Sequence, residues 1–295
     1  MTVRLTVDNV EVPIKVIKFS DDSSNMKLEV PEQLVKYPPS AYYSISVDPT
    51  TPADAYLWEI ILTVSAIEET FGTSWGREIL HLPYLPHARA DRVFETGNAF
   101  PLKMFFEAVA FMFDEILLTD PHSNYYEQYA KDDDSPDLTV KHQHNCFIET
   151  VRDIESGSVL VSPDKGAAKK IYKLQQVLDN RTIATFVIEA DKKRDVSTGR
   201  ILETTLPEDF DYVGKTFYIV DDLCDGGGTF IPLAKHLKER GAKEVNLYVT
   251  HMIGAKGLDM LREYIDNVFC YQVVGKYLTM KDVQDYNKST IQIGE

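Results

Sequence analysis

Residues 217–241, FYIVDDLCDGGGTFIPLAKHLKERG, constrain the fold more than any other stretch of the chain. Phe217 to Val220 form a short apolar run of the length expected for a buried parallel strand. The acid pair Asp221 and Asp222 follows, then Asp225 and the glycines Gly226, Gly227 and Gly228. Thr229 stands where a helix would begin and is the expected N-cap. Phe230, Leu233, Ala234 and Leu237 recur at helical spacing, and Gly241 stands where that helix should end. A strand that passes through glycines into a helix presents bare backbone N–H groups to an anion, above all a phosphate.

The acids refine that expectation. A plain phosphate cradle gains nothing from carboxylates beside its anion. Asp221 and Asp222 are accounted for if the ligand also carries hydroxyls, or a Mg²⁺ that offsets the charge. A sugar phosphate meets both conditions, with its phosphate on the loop and its hydroxyls on the acids. The competing reading is a surface turn, since Asp and Gly are common turn residues.

The net charge of −15 argues against non-specific nucleic-acid binding and against anionic membrane surfaces, but not against nucleotides held by local cations. The 295 residues suit two domains, expected here as 1–143 and 144–295. Cys146, Cys224 and Cys270 are scattered, with neither metal-site nor disulfide spacing, which points to a reducing cytoplasm. The N-terminal run alternates like a strand rather than reading as a signal peptide, and no apolar run is long enough to span a membrane.

In chain order, RLTVDNVEV and IKVIKF read as strands, and Phe19–Asp22 (FSDD) as the turn that closes the second. Pro31, Pro38 and Pro39 mark loops. Tyr42–Val47 reads as a strand, Ala53–Glu69 as a helix and Ile79–Leu82 as a short strand. PYLPHARADR (83–92) follows. Arg89, Asp91 and Arg92 could serve nucleotide phosphates, and a solvated loop fits equally well. Pro101–Phe113 reads as a helix and Glu115–Thr119 as a strand ending in DPHS, where His122 stands at a strand's carboxyl end. Residues 126–143 read as a polar, acidic excursion. Ser158–Ser162 is a strand running into Asp164 in VSPDKG, followed by a helix over Ala167–Asp179 and a strand over Thr185–Ile188. Lys192, Lys193 and Arg194 then form a basic run suited either to solvent or to a lid over polyphosphate. Val245–Thr250 reads as a strand and Gly254–Tyr264 as a helix, and the tail beyond Tyr277 carries no readable signal.

Taken together, these segments resemble the ribose-phosphate pyrophosphokinases (PRPP synthetases) over roughly residues 14–260. FSDD is similar to that family's Phe-x-Asp-Gly-Glu segment, PYLPHARADR to its Pro-Tyr…Ala-Arg-Gln-Asp-Arg segment and TDPHS to its Asp-Leu-His segment. VSPDKG is similar to Ser-Pro-Asp-x-Gly, and DKKRD to the catalytic-loop Lys-Arg-Arg. Type I phosphoribosyltransferases share only the sugar-phosphate loop. The resemblance implies an α/β fold of two phosphoribosyltransferase-like domains, each with a mainly parallel sheet flanked by helices. It implies transfer of the pyrophosphoryl group of ATP to the anomeric hydroxyl of ribose 5-phosphate, giving AMP and PRPP. Under it, Phe19 and Asp21 contact adenine from a partner chain in a homo-oligomer, and Arg89 and Asp91 sit at ATP. His122 and Asp164 hold Mg²⁺, and Lys192, Arg194 and His122 act in catalysis. Asp221 and Asp222 take ribose hydroxyls and metal waters, and Asp225 to Thr229 hold the 5-phosphate.

The departures carry information too. No strand–loop–helix precedes FSDD, Ser23 and Ser24 replace the Gly-Glu, Ala90 replaces a Gln, and the chain stops early relative to the family. Gly226 replaces a Thr whose hydroxyl would grip the phosphate. Either backbone donors suffice for ribose 5-phosphate, or the added room takes a larger ester such as ADP-ribose. The product would then be ADP-ribose pyrophosphate, a step in rebuilding NAD. A phosphoribosyltransferase and an inactive regulatory subunit are the remaining alternatives. The second is disfavoured by the presence of His122, Asp164, Lys192 and Arg194.

Overall fold

The computed structural model describes residues 3–36, 42–51, 53–73, 76–128, 135–194 and 201–291. Pro38, Pro39, the acidic run 132–134 and residues 195–200 of the basic stretch lie outside the described residues. The chain divides into two compact units, Met1–Lys141 and His142–Glu295.

The first unit begins with three strands, β1 (Val3–Val7), β2 (Val10–Val12) and β3 (Ile14–Lys18), followed by β4 (Ser24–Leu28). Asp8 and Asn9 both take positive φ, which turns β1 tightly back along β2. A short helix α1 (Glu32–Lys36) precedes β5 (Tyr42–Val47), α2 (Ala53–Phe71) and β6 (Arg77–Leu82). Then come α3 (Pro101–Ala110), β7 (Glu115–Thr119) and β8 (Asp137–Lys141). The main sheet runs β2-β1-β5-β6-β7-β8, parallel from β5 to β8 and antiparallel at β1 and β2. β3 and β4 form a separate antiparallel hairpin. Leu5, Ile45, Leu80 and Ile116 from the strands are sealed from water with Ile60, Ile67 and Phe106 from the helices.

The second unit contains α4 (Gln143–Thr150), β9 (Val159–Ser162), α5 (Ala168–Asp179) and β10 (Phe186–Glu189). A hairpin of β11 (Asp191–Arg194) and β12 (Ile201–Thr205) follows. The chain continues through β13 (Thr216–Cys224), α6 (Phe230–Glu239), β14 (Glu244–Met252), β15 (Asn267–Val273) and α7 (Met280–Ile291). Its five-stranded sheet, β10-β9-β13-β14-β15, is parallel throughout.

The period of two along β13 makes this sheet a two-faced core. Phe217 and Ile219 pack with Leu233 and Leu237 of α6, whereas Tyr218 and Val220 pack with Phe147 of α4 and Leu174 of α5. Helices therefore cover both faces, and near-continuous apolar strands follow from that burial. Each fully buried Leu or Phe contributes about 1.5–3 kcal/mol relative to exposure.

The structure corrects several sequence expectations. Gly254–Tyr264 is not a helix: Gly254 and Gly257 have φ of +60° and +75°, and only a single 3₁₀ turn, Asp259–Leu261, forms. Pro101 starts a helix that ends at Ala110 rather than Phe113. The polar stretch 126–143 ends in the edge strand β8 and the start of α4. The tail carries α7, whose Val283 and Tyr286 are buried three residues apart. Among the described residues, no helix is long and apolar enough to cross a membrane.

Candidate active site

Parallel strands bring the loops that follow them to one edge of a sheet, and this determines what each unit can bind. In the second unit β9, β13 and β14 are neighbours, so the loops after Ser162, Cys224 and Met252 emerge side by side. β13 is longer than the apolar run suggests. It extends through the acid pair to Cys224, which places Asp221 and Asp222 on the strand itself rather than in the loop beyond.

Three backbone hydrogen bonds bind the glycine loop to the loop after β14. Ile253 and Gly254 donate to the Cys224 carbonyl at 2.8 and 3.2 Å, and Ala255 donates to that of Asp225 at 3.0 Å. Gly227 has φ +73°, and a side chain there would also come within 2.9 Å of Leu261 Cδ2. Gly227 donates its amide to the Cys224 thiol, whose pKa burial pushes up to about 12, so this cysteine is a neutral core group and not a nucleophile. Among the described residues, the amides of Gly226, Gly228 and Thr229 have no hydrogen-bond partner. Three amides are thus left open just ahead of α6.

The expected cap is corrected. Thr229 has helical φ and ψ of −79° and −40°, and its side chain makes no capping bond. Its hydroxyl is therefore not spent on α6. At the far end of α6, Gly241 does adopt the positive φ (+89°) of a helix-terminating glycine.

The carboxylates are crowded. Asp222 is buried, and its amide donates to Asp221 Oδ1 at 2.9 Å. Burial first, then the Asp222 charge, and to a lesser degree Asp164, hold the Asp221 carboxyl well above the ordinary carboxylate range. Asp164 Oδ1 accepts the amides of Gly166 at 3.0 Å and Ala167 at 3.1 Å, which closes the turn leading into α5. Lys165 next to it lies 3.4 Å from Asp191, at the base of the β11–β12 hairpin. Lys192 and Arg194 stand on β11, where the register shifts between Lys193 and Arg194, and their side chains lie outside the described portion.

Among the described residues, no three His, Cys, Asp or Glu side chains form a closed metal cage. The donor set nevertheless fits Mg²⁺. Carboxylates crowded enough to retain a proton are relieved by a divalent cation, and Mg²⁺ is commonly held by one or two carboxylates plus waters and substrate phosphates.

In the first unit, the loops after β6 and β7 carry the other candidates. Asp91 receives both Nε (2.7 Å) and Nη2 (2.9 Å) of Arg92. Arg92, and in smaller part His122, holds the Asp91 carboxyl below its usual range, which brings 83–92 and 120–123 together electrostatically. Arg89 is exposed. His87 and Asp120 are non-glycine residues with φ of +58° and +36°, a strained backbone of the kind that clusters in binding loops. Phe19 stands half-exposed at the tip of the β3–β4 hairpin, and Asp21 Oδ1 closes the turn by accepting from Ser23 N (3.1 Å) and Ser23 Oγ (2.7 Å).

A phosphoribosyl transferase domain matches residues 139–282. The ribose-phosphate pyrophosphokinase of Pyrococcus abyssi is 24% identical over 249 residues, covering 83% of this chain and 80% of that protein. That of Sulfurisphaera tokodaii is 29% identical over 209 residues, covering 68% and 65%. The chain is thus similar, over most of its length, to ribose-phosphate pyrophosphokinases, and its second unit to phosphoribosyl transferase domains. The phosphoribosylpyrophosphate synthetase structure from Mycobacterium smegmatis has the same fold, with a TM-score of 0.67 at 18% identity over 96% of this chain and 90% of that one. The two-domain α/β architecture is that of the synthetase structure's fold.

Sequence reading missed the loop 253–257. Gly254 packs so closely that an added Cβ would meet Leu278 Cδ1 at 2.0 Å, and its φ of +60° disfavours any side chain. Gly254→Ala is therefore expected to destabilise the protein by about 2–4 kcal/mol through overpacking and backbone strain. Thermal unfolding of the purified variant measures this, and an unchanged midpoint would contradict the packing described. The readable signal was the Gly-Ala-Lys-Gly run directly after a buried strand.

Proposed function

We propose that the protein transfers the β,γ-pyrophosphoryl group of ATP to the anomeric hydroxyl of a ribose 5-phosphate moiety, releasing AMP. The observation that carries this reading is the loop Asp225–Thr229, where the amides of Gly226, Gly228 and Thr229 have no partner among the described residues, placed just beyond an acid pair at a parallel sheet's carboxyl edge. Amides of Gly226, Gly228 and Thr229 and the Thr229 hydroxyl receive the 5-phosphate. Asp221 and Asp222 orient the ribose hydroxyls. The anomeric oxygen bonds to the β-phosphorus, the bond from that phosphorus to the α,β-bridging oxygen breaks, and AMP departs with that oxygen while the hydroxyl proton passes to solvent.

Such transfer needs in-line positioning and charge neutralisation more than covalent chemistry. Lys192 and Arg194 supply cations from the β11–β12 hairpin. Mg²⁺ would neutralise the triphosphate, with Asp164 as its candidate ligand in the second unit and His122 as the candidate ligand in the first. Arg89 and Asp91 belong to the ATP side. Phe19 is an exposed aromatic on a hairpin outside the main sheet, which suits adenine stacking in a neighbouring copy of the chain. Against a net charge of −15, small anionic substrates with their cation are better partners than nucleic acid or a membrane surface.

Two acceptors are consistent with Gly226: ribose 5-phosphate, and ADP-ribose, whose distal ribose has a free anomeric hydroxyl. Incubation with ATP, Mg²⁺ and each acceptor, with AMP and product masses followed, separates them. AMP formed with ribose 5-phosphate yields PRPP and supports the first. AMP formed chiefly with ADP-ribose supports the second. No AMP with either ends the pyrophosphotransfer reading.

A further inference from the structure

We infer that Lys256 is a phosphate-binding residue of the acceptor site, and that Gly226 is the seat that lets it reach there. This rests on the acceptor reading of the Asp225–Thr229 loop. A Cβ built on Gly226 would lie 3.2 Å from Lys256 Cδ, 3.3 Å from Cε and 3.5 Å from Cγ, its three nearest neighbours. The aliphatic stem of Lys256 therefore lies along the bare backbone of Gly226. Any side chain at that position would push against it.

The placement is fixed from both sides. The three backbone bonds from Ile253, Gly254 and Ala255 tie the lysine's loop to the glycine loop. Gly254 and Gly257, both with positive φ, fold the chain around Lys256. Lys256 is exposed and, among the described residues, has no ion-pair or hydrogen-bond partner, although Asp221, Asp222 and Asp225 stand on the adjoining segment. Independently, the amides of Gly226, Gly228 and Thr229 are also without partners there. An ammonium and several amides left open around one glycine serve a common anion.

The exchange is chemically coherent. A hydroxyl side chain at position 226 would give one neutral donor to a phosphate. Glycine there removes that donor and admits an ammonium with three donors and a full charge. A lysine arriving from the next loop acts as a point charge, serving a phosphate monoester or the first phosphate of a diphosphate ester equally well. The ligand chemistry is a phosphoryl group on the 5-oxygen of a ribose, and ribose 5-phosphate and ADP-ribose are its two sources.

Calorimetric titration of the whole protein with ribose 5-phosphate, ADP-ribose and MgATP, each separately, tests the assignment. Lys256→Met keeps the stem's packing and removes the charge. It is expected to weaken at least one acceptor roughly ten- to hundredfold, as loss of a charged contact does, and to leave MgATP affinity within about twofold. Lys256→Arg is expected to recover part of the loss. Gly226→Thr, which displaces the stem, is expected to reproduce it, and adding Lys256→Met to Gly226→Thr should then cost little more. The acceptor that responds identifies the source. Unchanged binding of both acceptors by a folded Lys256→Met protein overturns the inference, as does wild-type protein that binds neither. Absence of AMP formation despite acceptor binding would fail the pyrophosphotransfer reading alone, since the titration judges Lys256 separately.

Discussion

Exchange of Asp221 for asparagine is expected to make the protein more resistant to heat at about pH 8 and to reduce turnover on the order of a hundredfold or more. Burial and the neighbouring Asp222 raise the pKa of this carboxyl in the folded chain. The folded state thus holds a proton on Asp221 at pH values where the unfolded chain has already released it. Stability is lost as pH rises from the ordinary carboxylate range, near 4, through the raised folded value. Asparagine removes that loss, so the gain in melting temperature should be small at about pH 4 and grow toward about pH 8. For a unit of this size, each kcal/mol of relieved repulsion is worth about 2–4 °C. The same change deprives the acceptor's hydroxyls of a carboxyl partner. Melting curves at both pH values and steady-state AMP release provide the two readouts. A variant that is no more stable at the higher pH, or one that retains full turnover, would contradict the role given to Asp221.

The second large effect is expected from Lys192→Ala combined with Arg194→Ala. Cations that meet only the transferring group act on kcat, and similar arginines in phosphoryl transfer are worth about 10³-fold or more. The double variant should lose turnover to that extent while its acceptor KM moves within about twofold. Its melting temperature should be unchanged, because β11 and β12 form a two-stranded sheet of their own outside the five-stranded core. Single-turnover kinetics separate this from a binding defect. A variant that retains kcat would move the neutralising role to other residues.

The parts of the fold that were legible in the sequence are those where one period dominates. Tyr42–Val47 and Glu115–Thr119 coincide with their predicted strands, and α2 extends only two residues beyond the expected Glu69. Elements with mixed polarity were hidden. α4 buries Gln143, Cys146 and Phe147 in an octamer with only three apolar residues, Cys146, Phe147 and Ile148, and β8 is an edge strand whose residues are all at least partly exposed. The helix expected over Gly254–Tyr264 was contradicted by its own glycines, which were read as permitted inside a helix when they set positive φ instead. At the site, the acid pair and the glycine nest were readable because each residue type has a local reason to be there. Lys256 was not, since its meaning depends on a contact with Gly226, thirty positions earlier in sequence, made only when β13 and β14 pair.

That pairing has a consequence for how the gene can vary. β13 and β14 are matched residue for residue from Thr216 with Glu244 to Cys224 with Met252. Both loops that build the acceptor site leave the sheet at the end of this shared ladder. One residue inserted or deleted within either strand would reverse which side chains face the helices and would move one loop past the other. The connection between α6 and β14 around Gly241 to Lys243 enters the sheet at its opposite edge, away from both loops. Length changes among relatives should therefore accumulate on that side, with the spans between the two ligand loops kept constant in register even where their residues differ.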